Sequence, residues 1–162
     1  MSEQNNELYK KPREPKPKAE DVAMNFLEED SLKNLLNFLE FLKSIKLNPR
    51  CNAPNSWSVN HKGKTICYIK LAEGSWGIHH NRLFFEEYDK YMGDELKEFV
   101  WNNMGSPRCA PNCNGRSMTI MDKKFDGVCY CWPFRLHNAD GAALKHLKKI
   151  IEVRKSIIAD WF

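Results

Sequence analysis

Residues 56–80 read SWSVNHKGKTICYIKLAEGSWGIHH, and this stretch decides the fold. Three segments rich in β-branched and aromatic residues, 56–60, 65–71 and 76–80, are separated by two short turns that each contain a glycine. Glycine adopts the positive φ angles that tight hairpin turns require. The stretch therefore predicts a meander of three antiparallel strands.

A long amphipathic helix is expected before the meander. Leucines recur at steps of three and four residues from Leu32 to Leu42, which is the period of a helix with one apolar face. We predict that this helix begins at Ser31, whose side chain can cap it, and that it ends before Pro49. A shorter helix over 20–29 precedes it.

Helical and strand patterns alternate again after the meander. Residues 83–91 and 94–104 show helical spacing, and 117–121 and 128–136 are rich in strand formers. A long final helix begins after Asp140, which can cap it. This order predicts the α+β class, with an antiparallel sheet of about five strands covered by helices and a long C-terminal helix.

Composition bounds the class of protein and its domain organisation. The 162 residues are 42% hydrophobic and 28% charged, which excludes a wholly disordered chain, a collagen-like fibre and a coiled coil. The net charge is +4, from 25 basic and 21 acidic residues. Residues 1–20 are basic and proline-rich, so we predict a disordered tail there and a single α+β domain over 21–162.

The N-terminal residues also bear on localisation. They are polar and lack the apolar core of a secretory signal, and no run of apolar residues is long enough to cross a bilayer. We therefore predict a cytoplasmic protein with no membrane partner. Cytoplasmic thiols are normally reduced, so the six cysteines are expected to be free or metal-bound rather than paired.

Four of these cysteines are the candidate metal ligands. Cys109 and Cys113 lie in a loop rich in proline and glycine, and Cys129 and Cys131 lie two residues apart in a predicted strand, so they would share a face. Four thiolates suit tetrahedral Zn²⁺, which makes zinc the cofactor that this set would hold. The alternative is that they are reduced thiols that pack as small hydrophobic residues.

Aromatic residues supply the candidate ligand pocket. The chain has five tryptophans, five tyrosines and nine phenylalanines, and aromatic faces with a few polar groups are typical of small-molecule sites. Strand alternation places His80 on the face of Trp76 and Ile78, with His79 facing away. A core packed with aromatic residues is the alternative. The predicted pocket is lined by Trp57, Trp76, His80, Tyr130 and Trp132.

We do not expect a nucleic-acid partner, and the charge pattern of the last helix does not require one. Its basic residues would form a positive surface that could neutralise phosphates, but Glu152 interrupts it. A charged outer face is also normal for any surface helix. The basic residues concerned are Lys145, Lys148, Lys149, Arg154 and Lys155.

No sequence motif indicates a particular reaction, and no nucleophile is paired with a base, so we assign no catalytic residue. We predict a small cytoplasmic domain that binds a small ligand or a protein partner through the aromatic pocket without catalysis. Two alternatives stay open. One is a cysteine-dependent enzyme that uses a thiol or zinc, and the other is a structural module stabilised by zinc.

The glycine turn at 61–64, the apolar strand at 65–71 and the terminal helix resemble those of YdhG-like small bacterial domains of unknown function. The resemblance covers about half of the chain. The segments RCAPNCNG at 108–115 and VCYCWPF at 128–134 lie outside it. It implies a small bacterial α+β domain and transfers no catalytic residue.

Overall fold

The computed structural model describes residues 14–80, 85–105, 110–131 and 133–162. A short 3₁₀ turn, Asp89–Tyr91, follows the third helix. In chain order the helices and strands are α1 (Ala19–Phe26), α2 (Glu29–Ser44), β1 (Arg50–Ala53), β2 (Ser56–His61), β3 (Lys64–Ala72), β4 (Ser75–His80), α3 (Phe85–Tyr88), α4 (Asp94–Asn102), β5 (Arg116–Ile120), β6 (Lys123–Val128), β7 (Phe134–His137) and α5 (Gly141–Asp160).

The main sheet has five antiparallel strands in the order β1-β2-β3-β4-β7, and β5 and β6 form a separate two-stranded sheet. The predicted meander is confirmed as β2, β3 and β4, and the predicted α+β class is confirmed with it. The sequence patterns did not predict β1, which has only four residues and no apolar alternation. Among the described helices, none has the length and apolar character needed to cross a bilayer.

One face of the main sheet is buried beneath helices, and we call it the apolar face. Phe38 of α2 stacks on Trp76 of β4, with ring centroids 6.0 Å apart. Phe99 of α4 contacts Phe134 of β7 at 6.3 Å. Side chains alternate along a strand, so most buried residues of the sheet share this face, although Ser56, which pairs with Lys70, is buried on the other one. The buried residues of the apolar face include Trp57, Val59, Cys67, Ile69, Leu71, Trp76, Ile78, His80, Phe134 and Leu136.

Helix α5 is fastened to the fold at several points. The Asp140 carboxylate accepts a hydrogen bond from the Ala143 amide at 2.8 Å, which confirms the predicted cap. Lys148 Nζ donates to Asn37 Oδ1, and Lys155 Nζ donates to the Ile45 carbonyl, both at 2.6 Å. Arg154 is only 5% exposed, so its inclusion in a basic outer surface of this helix is wrong.

Helix α2 differs from its predicted bounds at both ends. It begins one residue after Glu28, so Ser31 lies inside its first turn rather than at its cap. At the other end Lys46 has φ 61°, and the Leu47 amide donates to the Leu42 carbonyl at 2.8 Å. This pattern closes a helix through a left-handed residue, so α2 ends at Ser44 without the help of the later proline.

The predicted continuous strand over 128–136 is wrong. Its first residue ends β6 in the small sheet, whereas Phe134 begins β7 in the main sheet. Pro133 lies between them, and proline has no N–H to donate to a strand ladder. The turn before β6 is only two residues long, because Met121 and Asp122 both take positive φ and β6 starts at once.

Candidate binding site on the polar face of the main sheet

The face of the main sheet opposite the apolar face carries polar and basic side chains. None of the residues in the five strands is an aspartate or glutamate, although the chain has 21 acidic residues. Burial differs between the faces as well. Tyr68, Lys70, His79 and Arg135 are half-buried, and Arg50 and His137 are exposed. We call this surface the polar face.

A row of directly paired residues crosses all five strands on the polar face. Neighbouring strands lie about 4.8 Å apart, so the row spans roughly 19 Å from the first strand to the fifth. A positive side chain stands at each end, and a tyrosine stands in the middle. We call it the cross-strand row, and its members in spatial order are Arg50, Ser58, Tyr68, His79 and Arg135.

A second row lies beside the first. Lys70 pairs with Gly77, which in turn pairs with His137. A Cβ added at Gly77 would come within 3.1 Å of His137 Nδ1 and 3.3 Å of the Leu136 carbonyl oxygen. The missing side chain therefore leaves room for the His137 ring against the strand. That ring meets His79 edge-on, with centroids 5.8 Å apart.

Hydrogen bonds connect the polar side chains near β1. Thr65 Oγ1 donates to Asn60 Oδ1 at 2.8 Å, and Asn60 Nδ2 donates to Ser58 Oγ at 3.1 Å. Ser58 Oγ then donates to the Arg50 carbonyl at 3.4 Å. The chain of bonds orients the Asn60 carboxamide at the β1 edge of the polar face.

Positive charge collects around His79. Burial, together with the nearby charges of Lys70, His137 and Arg135, lowers the pKa of His79 to about 4. The imidazole is therefore neutral at pH 7. The charges of Lys70, His137 and Arg135, which disfavour a proton on His79, favour an anion at the same place, whereas burial disfavours a charge of either sign.

Two cavities adjoin the cross-strand row at the β1 edge, and both are lined by Asn48 and Arg50. The first, of about 500 Å³, also includes Lys16, Lys18 and Lys43; its one carboxylate, Glu20, pairs with Lys43 at 2.8 Å. The second, of about 470 Å³, is lined by Lys46, Asn48, Arg50, Asn60, Lys62 and Gly63.

The structure places the predicted aromatic pocket residues in different surroundings. Trp57, Trp76 and His80 share the apolar face and are at most 1% exposed, so they lie in the core. Tyr130 is 40% exposed, and the Arg116 guanidinium lies 4.7 Å from its ring. Trp132 lies outside the described residues. None of the four described side chains lines the two cavities at the β1 edge.

His80 belongs to a buried group of polar side chains with Cys67, Tyr88 and Arg154. Burial, followed by the charge of Arg154, lowers the pKa of His80 to about 3. Burial also raises the pKa of the Cys67 thiol far above its ordinary value. The thiol thus stays protonated and the imidazole neutral, which is unsuited to a thiolate nucleophile.

The candidate zinc ligands are only partly described, because Cys109 lies outside the described residues. Cys113 is half-buried, Cys129 buried and Cys131 exposed. The argument that the last two share a strand face is wrong, since both follow β6. No group of three or more potential ligands is arranged to hold a metal within the described ranges. The zinc site stays a prediction.

The sequence carried a signal for the polar face that the strand patterns alone did not reveal. Residues 41–72 contain no acidic residue, and this segment covers β1, β2, β3 and the loop before them. Its basic residues are Lys43, Lys46, Arg50, Lys62, Lys64 and Lys70.

No protein-family model matches the chain, and neither a curated protein nor a solved structure matches it. The resemblance to YdhG-like domains stays a prediction. Function is therefore inferred from the residues of the polar face and their geometry.

Proposed function

We propose that this domain binds an anionic ligand on the polar face of its main sheet and catalyses no reaction. The observation that carries the proposal is the cross-strand row, which joins Arg50 and Arg135 across strands that hold no carboxylate. Arginine binds carboxylate and phosphate oxygens in a two-pronged geometry. Lys70 adds a third permanent positive charge beside the row.

Binding without catalysis is favoured by the state of the nucleophilic groups. On the polar face the hydroxyl groups of Ser58 and Thr65 are hydrogen-bonded to Asn60. A serine or threonine nucleophile needs an adjacent base to accept its proton. On the other side of the sheet, the Cys67 thiol is buried and held protonated. The same geometry therefore supports recognition better than group transfer.

Calorimetric titration with inorganic pyrophosphate tests the proposal. We expect binding at low salt, and we expect Arg135→Gln or Lys70→Gln to weaken it about tenfold, since hydrogen bonds to charged groups contribute about 1.5–3 kcal/mol. Lys33→Gln is the matched control, because it removes the same charge from the exposed surface of α2 and should leave affinity unchanged.

A second readout follows His79 directly. A bound anion offsets the positive field, so the pKa of His79 should rise from about 4 towards its ordinary value when pyrophosphate is added. The imidazole proton resonances report this pKa by NMR. Equal binding of pyrophosphate by wild type, Arg135→Gln and Lys70→Gln would overturn the proposal, and so would the absence of binding to both pyrophosphate and a longer polyanion at low salt.

A further inference from the structure

We infer that the anionic ligand is a single-stranded nucleic acid that lies along the cross-strand row. The inference rests on the proposed function and names its ligand class. Three features of the polar face support it: the length of the row, the position of Tyr68 within it, and the carboxamides at the β1 edge.

The length of the row favours a polymer over a small anion. Arg50 and Arg135 are separated by three intervening strands, a distance of roughly 19 Å. One phosphate or nucleotide cannot engage both ends. A stacked strand rises about 3.4 Å per nucleotide, so about five nucleotides would cover the row. A linear chain of phosphates therefore matches the separation of the positive groups.

The position of Tyr68 distinguishes a nucleic acid from other polyanions. It occupies the middle of the row, with Ser58 on one side and His79 on the other. Single-stranded nucleic acids bind to sheets and grooves that combine positive side chains with aromatic rings on which bases stack. An acidic polypeptide or polyphosphate would use the arginines but has no base to place on the ring.

The β1 edge offers groups that can contact base edges. Asn48 and Asn60 line the 470 Å³ cavity next to Arg50, where the row begins. A carboxamide provides both a donor and an acceptor, which is what the Watson–Crick edge of an unpaired base requires. A cavity of this volume is within the usual range of ligand sites. One end of the bound nucleic acid is therefore assigned to this cavity.

Fluorescence anisotropy with a labelled oligouridine 12-mer tests the inference. We expect wild type to bind with a log–log salt slope of about −2, from three phosphate contacts at about 0.7 each. Tyr68→Leu should weaken binding about tenfold through lost stacking, and Tyr68→Phe, which keeps the ring, should bind like wild type. Tyr91→Leu is the matched control, because Tyr91 is an exposed tyrosine in the 3₁₀ turn.

Competition with polyphosphate and with polyglutamate separates the other ligand classes. Oligouridine should be preferred over both, and Tyr68→Leu should reduce that preference. If pyrophosphate binds but oligouridine does not, or if Tyr68→Leu binds oligouridine like wild type, the inference is overturned and the proposed function stands. Preference for polyglutamate over oligouridine would likewise overturn the inference and leave the proposed function standing. If neither pyrophosphate nor oligouridine binds, both fail.

Discussion

At the scale of single residues, His79 and His80 show how the two faces of one sheet place identical side chains in different surroundings. They are neighbours in β4, yet His79 lies on the polar face and His80 lies in the core, as strand alternation predicted. The pKa of each is lowered mainly by burial. The second-largest cause differs between them. The positive charge of Lys70 lowers the pKa of His79, and that of Arg154 lowers the pKa of His80.

The lowered pKa of His80 predicts that the folded protein loses stability in mild acid. The unfolded chain binds a proton on this histidine below about pH 6.5, whereas the folded protein, with a His80 pKa of about 3, does not. The free energy of unfolding should therefore fall as pH drops from 6.5 towards 3. One such histidine costs about 2 kcal/mol at pH 5. Urea denaturation at several pH values measures this loss.

His80→Leu provides the comparison for this prediction. Leucine cannot take up a proton, so the variant should lose about 2 kcal/mol less than wild type between pH 8 and pH 5. The groups around His80 that also bear charge or titrate are Arg154, Cys67, Tyr88 and His79, and all remain in the variant. An identical loss in both proteins would show that His80 accepts a proton in the folded state.

The cysteines give a second prediction at this scale. Cys67 is fully buried with its thiol pKa raised, whereas Cys131 is exposed. Iodoacetamide at pH 8 should therefore alkylate Cys131 in the native protein and reach Cys67 only after unfolding. Peptide mass mapping identifies the modified positions. Similar alkylation rates at the two cysteines would contradict the burial of β3.

At the scale of elements, helix α2 offers an internally matched test of core packing. Leu39 is 2% exposed in the core, and Leu36, on the same helix, is 38% exposed. Leu39→Ala should lower the free energy of unfolding by about 2–5 kcal/mol, as cavity-forming changes do. Leu36→Ala should cost about 0.5 kcal/mol or less. Chemical denaturation measures both, and equal losses would mean that α2 does not pack by this face.

The segment after β6 shows where element prediction reached its limit. Residues 128–136 are rich in strand formers, and local pattern alone favoured one strand there. Pro133 interrupts the ladder, and the chain leaves the small sheet to pair with β4. Local propensity is right for the end of the segment in β7 and wrong for the residues between Val128 and Phe134, and it cannot indicate that the two ends belong to different sheets.

At the scale of the whole molecule, Lys16 and Pro17, directly before α1, are part of the packing. Trp57 Nε1 donates to the Pro17 carbonyl at 2.9 Å, and Lys16 Nζ donates to the Cys51 carbonyl at 3.2 Å. Ala19 is only 2% exposed. The predicted tail over 1–20 therefore includes residues that contact the sheet.

Truncation tests this contact. A variant that starts at residue 19 leaves the Trp57 indole N–H without its partner, which costs about 1–3 kcal/mol for a buried donor. Its melting temperature should be several degrees below that of a variant that starts at residue 14, which keeps Pro17. Calorimetry compares the two. Equal melting temperatures would show that the Pro17 contact contributes nothing to stability.

Features that depend on neighbouring residues could be predicted from the sequence. The glycine turns and strand alternation at 56–80 predicted the meander and the opposite orientations of His79 and His80, and Asp140 marked the start of α5. Each of these depends on φ angles, side-chain period or capping, which act over a few residues.

The binding site depends on long-range strand pairing. The acid-free composition of 41–72 was present in the sequence, but Arg50, Tyr68 and Arg135 are far apart along the chain and meet in one row only after β1 pairs with β2 and β7 pairs with β4. Strand order and register are set by which side chains the helices bury on the apolar face. That burial turns the polar side chains of all five strands to the other side of the sheet.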